Sequence, residues 1–122
     1  MARILISDDS DFMRETIKGI LSEAKHEILG EAKNGDEAIE KFTLLKPDLV
    51  TMDILMRPGG IKAIKKIREM DPKASILVIS VLEDSQADIV EAIRLGANGY
   101  VGKPIKKEVL ISEVKRVLNK RS

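Results

Sequence analysis

Apolar and polar positions follow two rhythms along the chain. Five short runs are largely apolar, and longer segments with apolar residues every three or four positions follow them. Short unbroken apolar runs suit strands of a parallel sheet covered on both faces, and the longer rhythm suits helices that lay one face on that sheet. The runs predict strands over residues 3–7, 27–32, 49–53, 76–80 and 98–102, of which 27–32 is the most polar and edge-like. Ser10 or Asp11 is placed to cap a first helix with Phe12, Ile17, Ile20, Leu21 and Ala24 inward. Asn34-Gly35-Asp36 is turn chemistry ahead of a second helix. Its inward residues are Ala38, Ile39, Phe42 and Leu45, and Lys46-Pro47 stops it. Pro58-Gly59-Gly60 reads as a loop. A third helix carries Ile61, Ile64 and Ile67 on one face and stops at Asp71-Pro72. Ser85 and Asp88 have capping-box spacing at the head of a fourth helix, which turns Ile89, Ala92 and Ile93 inward and ends at Gly96. The last helix, Lys106 to Leu118, is lined by Leu110, Val114, Val117 and Leu118. Strict alternation of strand and helix defines an α/β domain. It has five parallel strands, right-handed crossovers and helices on both faces.

Composition narrows the class. The 122 residues suffice for one domain with a real core, and 43% hydrophobic content is ordinary for a globular chain. Twenty-one Lys and Arg against 20 Asp and Glu leave a net charge of +1, which argues against nucleic acid as the main partner. There is no cysteine, which removes disulfides and thiolate metal sites. The chain enters a strand at once, with no signal-peptide layout, and no apolar run approaches the ~20 residues that span a bilayer. A cytoplasmic protein is expected. The charge is uneven: residues 1–60 hold 8 basic and 12 acidic side chains, and residues 103–122 hold 7 basic and 2 acidic. The basic tail, Lys115-Arg116 and Lys120-Arg121, reads as a solvated helix end. His26, the single histidine, reads as a solvated turn residue.

Candidate chemistry sits where apolar runs stop. Ile4-Leu5-Ile6 runs toward Asp8-Asp9, Leu49-Val50-Thr51-Met52 ends in Asp53, Ile76-Leu77-Val78-Ile79 ends in Ser80, and Tyr100-Val101-Gly102 leads to Lys103-Pro104. In open α/β sheets the C-terminal strand edge is where ligands bind. If the strands are parallel neighbours, three carboxylates, a hydroxyl and an ammonium converge there. Two carboxylates ~4 Å apart repel by about 4 kcal/mol at an effective dielectric of 20. A hard cation such as Mg2+, bound through oxygen ligands and water, would offset that repulsion. The set fits phosphoryl transfer, with one carboxylate as nucleophile and Lys and Ser holding phosphoryl oxygens.

On these residues the sequence resembles the receiver domain of two-component response regulators over essentially the whole chain. Asp8-Asp9, Asp53, Ser80 and Lys103-Pro104 all fall at the family's spacing. Asp8-Asp9-Ser10-Asp11-Phe12-Met13-Arg14 and Gly30-Glu31-Ala32-Lys33-Asn34-Gly35 are similar to the single-domain chemotaxis branch. The resemblance implies a flavodoxin-like (βα)5 fold with strand order 2-1-3-4-5, and a single receiver domain over residues 1–122 without an output domain. It implies that Asp53 accepts a phosphoryl group from the phosphohistidine of a sensor histidine kinase. Asp9 and Asp53 would bind Mg2+ directly with the backbone carbonyl of Leu55, and Asp8 through water. Lys103 would pair with the phosphoryl group, Ser80 would move to hydrogen-bond it, and Tyr100 would turn inward as Ser80 moves. The fourth helix, fifth strand and fifth helix would form the output face for a protein target such as a flagellar motor switch. The chain would be a monomer or weak dimer, and a phosphoacceptor rather than an enzyme.

The sequence departs from the family pattern at three places. After Asp53 the proline comes one position late and the loop is one residue short. Val81 follows Ser80 where a small residue is usual, and Ser7 replaces an apolar residue before the acidic pair. These departures leave open a pseudo-receiver that binds partners without phosphorylation. Asp9-Ser10-Asp11 also has the Asp-x-Asp form of a phosphatase with an aspartyl-phosphate intermediate, although that design needs a longer chain. A flavin carrier on the same fold lacks a phosphate-cradling loop here. Leu55 and Leu82 flank the expected path of attacking water and cannot orient it, so slow self-dephosphorylation is expected.

Overall fold

Alternate side chains of the central strands build two separate cores. In the computed structural model, which describes residues 1–120, the elements are β1 (Arg3–Ser7), α1 (Asp11–Glu23), β2 (Glu27–Ala32), α2 (Gly35–Leu45) and β3 (Leu49–Met52). They continue as α3 (Gly60–Met70), β4 (Ser75–Ser80), α4 (Leu82–Arg94), β5 (Gly99–Gly102) and α5 (Lys107–Asn119). The strands form one parallel sheet in the order β2-β1-β3-β4-β5. Leu5, Val50, Met52, Ile76 and Val78 point to one face, where Ala38 and Phe42 of α2, Ile64 and Ile67 of α3 and Ala92 of α4 cover them. Ile4, Ile6, Leu49, Leu77 and Ile79 point to the other, under Ile17 and Leu21 of α1 and Leu110, Val114 and Val117 of α5. Every residue of β3 and β4 is buried, as a strand covered on both faces requires.

Caps place the first two helices. The Ser10 side chain accepts the Met13 N–H at 3.2 Å, and Asn34 accepts the Glu37 N–H at 2.9 Å. α3 begins differently. A Cβ on Gly60 would stand 2.8 Å from the Asp53 carbonyl oxygen, so only glycine lets the helix start this close to the end of β3.

Four sequence expectations are corrected. Phe12 is 76% exposed, because at about 100° per residue it lies on the side of α1 away from Leu21. Ile93 is 47% exposed for a similar reason, about 100° around α4 from the fully buried Ala92. Ser85 does not cap α4. A first turn starts at Leu82, and the buried Ser85 stands at the kink that joins it to the rest of α4 (φ −139°, ψ 19°), where its hydroxyl donates back to the Val81 carbonyl. His26 is half-buried rather than solvated. Its Nδ1 accepts the Ala2 N–H at 3.0 Å, and burial together with the N-terminal ammonium lowers its pKa. Of the basic tail, Arg121 lies outside the described residues.

The burial pattern sets the expected cost of two substitutions. Ile64→Ala, at a fully buried site, should lower the unfolding free energy by about 3 kcal/mol in urea titrations. Phe12→Ala should change it by less than about 0.5 kcal/mol.

Candidate functional site

The C-terminal ends of β1, β3, β4 and β5 are neighbours along one sheet edge, and the predicted residues meet there. Asp53 follows the last residue of β3 and is 6% exposed. Its N–H donates to the Ser7 carbonyl at 3.1 Å, which continues the pairing of β3 with β1 by one residue and aims the side chain at the edge. Asp53 Oδ1 accepts the Leu55 N–H and the Ser80 hydroxyl, each at 3.0 Å. Asp53 Oδ2 lies 2.9 Å from Lys103 Nζ. The same ammonium is 2.8 Å from Asp8 Oδ2. Lys103 is held there because its backbone N–H donates to the Ser80 carbonyl at 3.0 Å, tying the end of β5 to the end of β4.

Asp8 is fully buried, and both its oxygens are engaged: Oδ2 by Lys103 and Oδ1 by the Ser10 N–H at 2.9 Å. Asp9 is exposed. Each of Asp8, Asp9 and Asp53 nonetheless offers an oxygen within 4.8 Å of the others. At that separation each carboxylate pair repels by about 3.5 kcal/mol at an effective dielectric of 20, and with one ammonium in contact the set still carries more negative than positive charge. Burial pushes the Asp8 carboxyl above its ordinary range, and this outweighs the hydrogen bonds from Lys103 and Ser10. Burial alone would lower the Lys103 pKa, but its hydrogen bonds and attraction to Asp8 and Asp53 raise it instead. A crowded set of hard oxygen donors with an open, exposed side suits a divalent cation whose remaining positions are filled by water.

The two proposed switch residues stand close together. Tyr100 is half-buried, and its hydroxyl donates to the Ser80 carbonyl at 3.1 Å. It packs against the edge of the core. Ser80 touches Asp53. Gly102 leaves the room this requires, since a Cβ there would come 3.0 Å from the tyrosine hydroxyl. Val81, half-buried, is the N-cap of α4. The short loop after Asp53 closes through Met56 N–H to Asp53 O (3.2 Å), Gly60 N–H to Met56 O (3.3 Å) and Gly35 N–H to Pro58 O (2.7 Å). Asp11, the second acid of Asp9-Ser10-Asp11, is paired with Arg14 and not with the cluster. Two features escaped sequence reasoning. Lys103 bridges two acids, and Arg14 is buried behind the acidic pair, visible in sequence only as the end of the Asp8-to-Arg14 motif.

The fold and this edge define a class. Residues 4–115 match the family model described as the response regulator receiver domain, and the chain belongs to that family. It is 46% identical over 116 residues to a chemotaxis protein CheY of Thermotoga maritima, covering 94% of this chain and 96% of that protein. It is 41% identical to the chemotaxis protein CheY of Bacillus subtilis, covering 96% and 98%. Among solved structures, the response regulator domain of Thermotoga maritima CheB superposes with a TM-score of 0.86 at 36% identity, over 96% of each chain. The chain is thus a phosphorylation-activated two-component signalling switch of the chemotaxis type.

The charge crowding predicts a metal response. Wild type should gain thermal stability in millimolar Mg2+, by about 1.4 kcal/mol at ten times the dissociation constant. Without metal, Asp53→Asn should be more stable than wild type by about 1 kcal/mol, because it removes one of three crowded charges. It should gain little from Mg2+. Thermal unfolding with and without the ion, or with EDTA, checks both.

Proposed function

We propose that Asp53 accepts a phosphoryl group from the phosphohistidine of a sensor histidine kinase, and that the phosphorylated chain binds a downstream protein through α4, β5 and α5. The observation that carries this reading is the pair of contacts on one buried carboxylate: Lys103 Nζ at 2.9 Å from Oδ2 and Ser80 Oγ at 3.0 Å from Oδ1. A lone pair of the Asp53 carboxylate forms the new O–P bond as the N–P pair returns to the imidazole of the donor. Lys103 remains an ammonium and meets the charge on a phosphoryl oxygen. Ser80 exchanges the carboxylate for a phosphoryl oxygen as acceptor, a short displacement from where it stands.

Asp9, Asp53 and the Leu55 carbonyl would hold Mg2+ directly, and Asp8 through water. This division is supported by the exposed Asp9 and by the two engaged oxygens of Asp8. When bound, the ion supplies neutralisation of charge on the phosphoryl oxygens.

Signal transfer runs through the Ser80 backbone. Tyr100 bonds its carbonyl, so a shift of Ser80 changes the tyrosine and the hollow around it. That hollow, about 330 Å³, is lined by Leu82, Glu83, Tyr100, Gly102, Lys106 and Val109, with Leu82 and Val109 about half exposed. It suits a protein target with an apolar anchor, and a flagellar motor switch, the target that the receiver resemblance implies, is our candidate. The reading puts this reaction in the cytoplasm, as the receiver resemblance implies. No helix among the described residues is long and apolar enough to cross a membrane. The chain acts as a phosphoacceptor that loses its own phosphate slowly, since Leu55 and Leu82 offer attacking water no polar group.

A histidine kinase labelled from radioactive ATP should transfer label to wild type and not to Asp53→Asn. Transfer to both would overturn the assignment. Leu55→Asn or Leu82→Glu should speed loss of label by about tenfold, the scale of one added 1.4 kcal/mol interaction in the transition state. Unchanged decay would remove both leucines from the water path.

A further inference from the structure

A guanidinium stands behind the acidic pair and takes no part in the chemistry above. Arg14, in the first turns of α1, is 8% exposed. Its Nη1 donates to the Asp8 carbonyl oxygen at 2.7 Å, its Nε to Glu31 Oε1 at 3.0 Å, and its Nη2 to the Asp11 carboxylate. The three acceptors lie on three segments: the loop after β1, strand β2 and the start of α1. The Asp8 backbone is also fixed from the other side, where its N–H donates to the Ala32 carbonyl at 3.0 Å.

The carbonyl that Arg14 holds belongs to the peptide joining Asp8 to Asp9. A peptide unit is planar, so holding its oxygen fixes the rotation of the whole unit and the direction in which the Asp9 chain leaves it. Asp9 needs such control. Its side chain is exposed, and its carboxylate makes no hydrogen bond to a described residue, so its backbone sets where it points. Asp8, by contrast, is also held by Lys103 and the Ser10 N–H. The charge of Arg14 is matched by Asp11 and Glu31, which leaves geometry as its main influence on the cluster.

We propose that Arg14 is a positioning residue for Asp9: through the Asp8–Asp9 peptide it keeps the Asp9 carboxylate with those of Asp8 and Asp53, and so sets the affinity of the cluster for a divalent cation. This rests on the reading of that cluster as a magnesium site. A planar guanidinium reaches all three acceptors at once, and a lysine ammonium in its place keeps the charge without the fork.

The test is the Mg2+ dissociation constant, read by calorimetry and by the metal dependence of thermal unfolding. The proteins are wild type, Arg14→Ala, Arg14→Lys, Glu31→Gln and, as control, Arg94→Ala, which removes an exposed pairing with Glu91 on α4. Far-UV circular dichroism establishes that each is folded. The dissociation constant should rise by about tenfold in Arg14→Ala and about threefold in Arg14→Lys and Glu31→Gln, and stay unchanged in Arg94→Ala. A folded Arg14→Ala that binds Mg2+ as wild type does, or more tightly as loss of a nearby cation alone would give, overturns the proposal. A lowered melting temperature with an unchanged magnesium constant does the same, because it shows a purely structural residue. If Arg14→Ala does not fold, Arg14→Lys and Glu31→Gln decide by the same criterion. A wild type that binds no Mg2+ overturns the magnesium reading itself and this assignment with it.

Discussion

Three carboxylates share one end of the sheet with a single ammonium in contact. Asp8, Asp9 and Asp53 bring oxygens within 4.8 Å of one another, and Lys103 bridges the two buried ones. Such a cluster is under repulsion, strongest between the buried Asp8 and Asp53, where water screens poorly. It persists because two packed cores hold the strands that carry it. The site's demand for positive charge follows from that imbalance. A divalent cation bound there, together with the lysine, would create a place where a phosphoryl group, otherwise repelled by carboxylates, could be held.

The fold supplies rigidity where the charges need it. β3 and β4 are wholly buried, and the backbone bonds from Asp53 to Ser7 and from Lys103 to Ser80 extend the ladders into the site. Each functional side chain therefore leaves a strand end whose position the core dictates. The neighbouring surface is looser by composition. Leu82 and Val109, both about half exposed, and the half-buried Tyr100 form a face next to Ser80, whose hydroxyl touches Asp53. A chemical event at the edge can bias that face without disturbing the cores.

Much of this was legible in the sequence, for identifiable reasons. Short continuous apolar runs such as Ile76 to Ile79, alternating with helical patterns, suit doubly covered strands, and their polar terminators marked the edge. The strand order came from family resemblance, since alternation alone does not order parallel strands. The misreadings were local. Phe12 and Ile93 are apolar residues at the margins of helical faces, where counting in threes and fours does not say how far the sheet extends. Ser85 and Asp88 had cap spacing, but a helical turn precedes the kink at Ser85, and a buried serine that donates to Val81 looks the same in sequence as a capping one. His26 found a partner in Ala2, 24 residues away, which no local pattern announces. The partnership of Arg14 with the Asp8 carbonyl was hidden for a related reason, since it depends on where α1 settles against β2.

Intact-protein mass after incubation with a small phosphodonor, with Mg2+ or with EDTA, tests the central claim most directly. Wild type should gain a single labile phosphoryl increment only when Mg2+ is present, and Asp53→Asn should gain none under either condition. An increment on Asp53→Asn, or one on wild type that is indifferent to EDTA, would contradict the assignment of this sheet edge as a metal-dependent acceptor site.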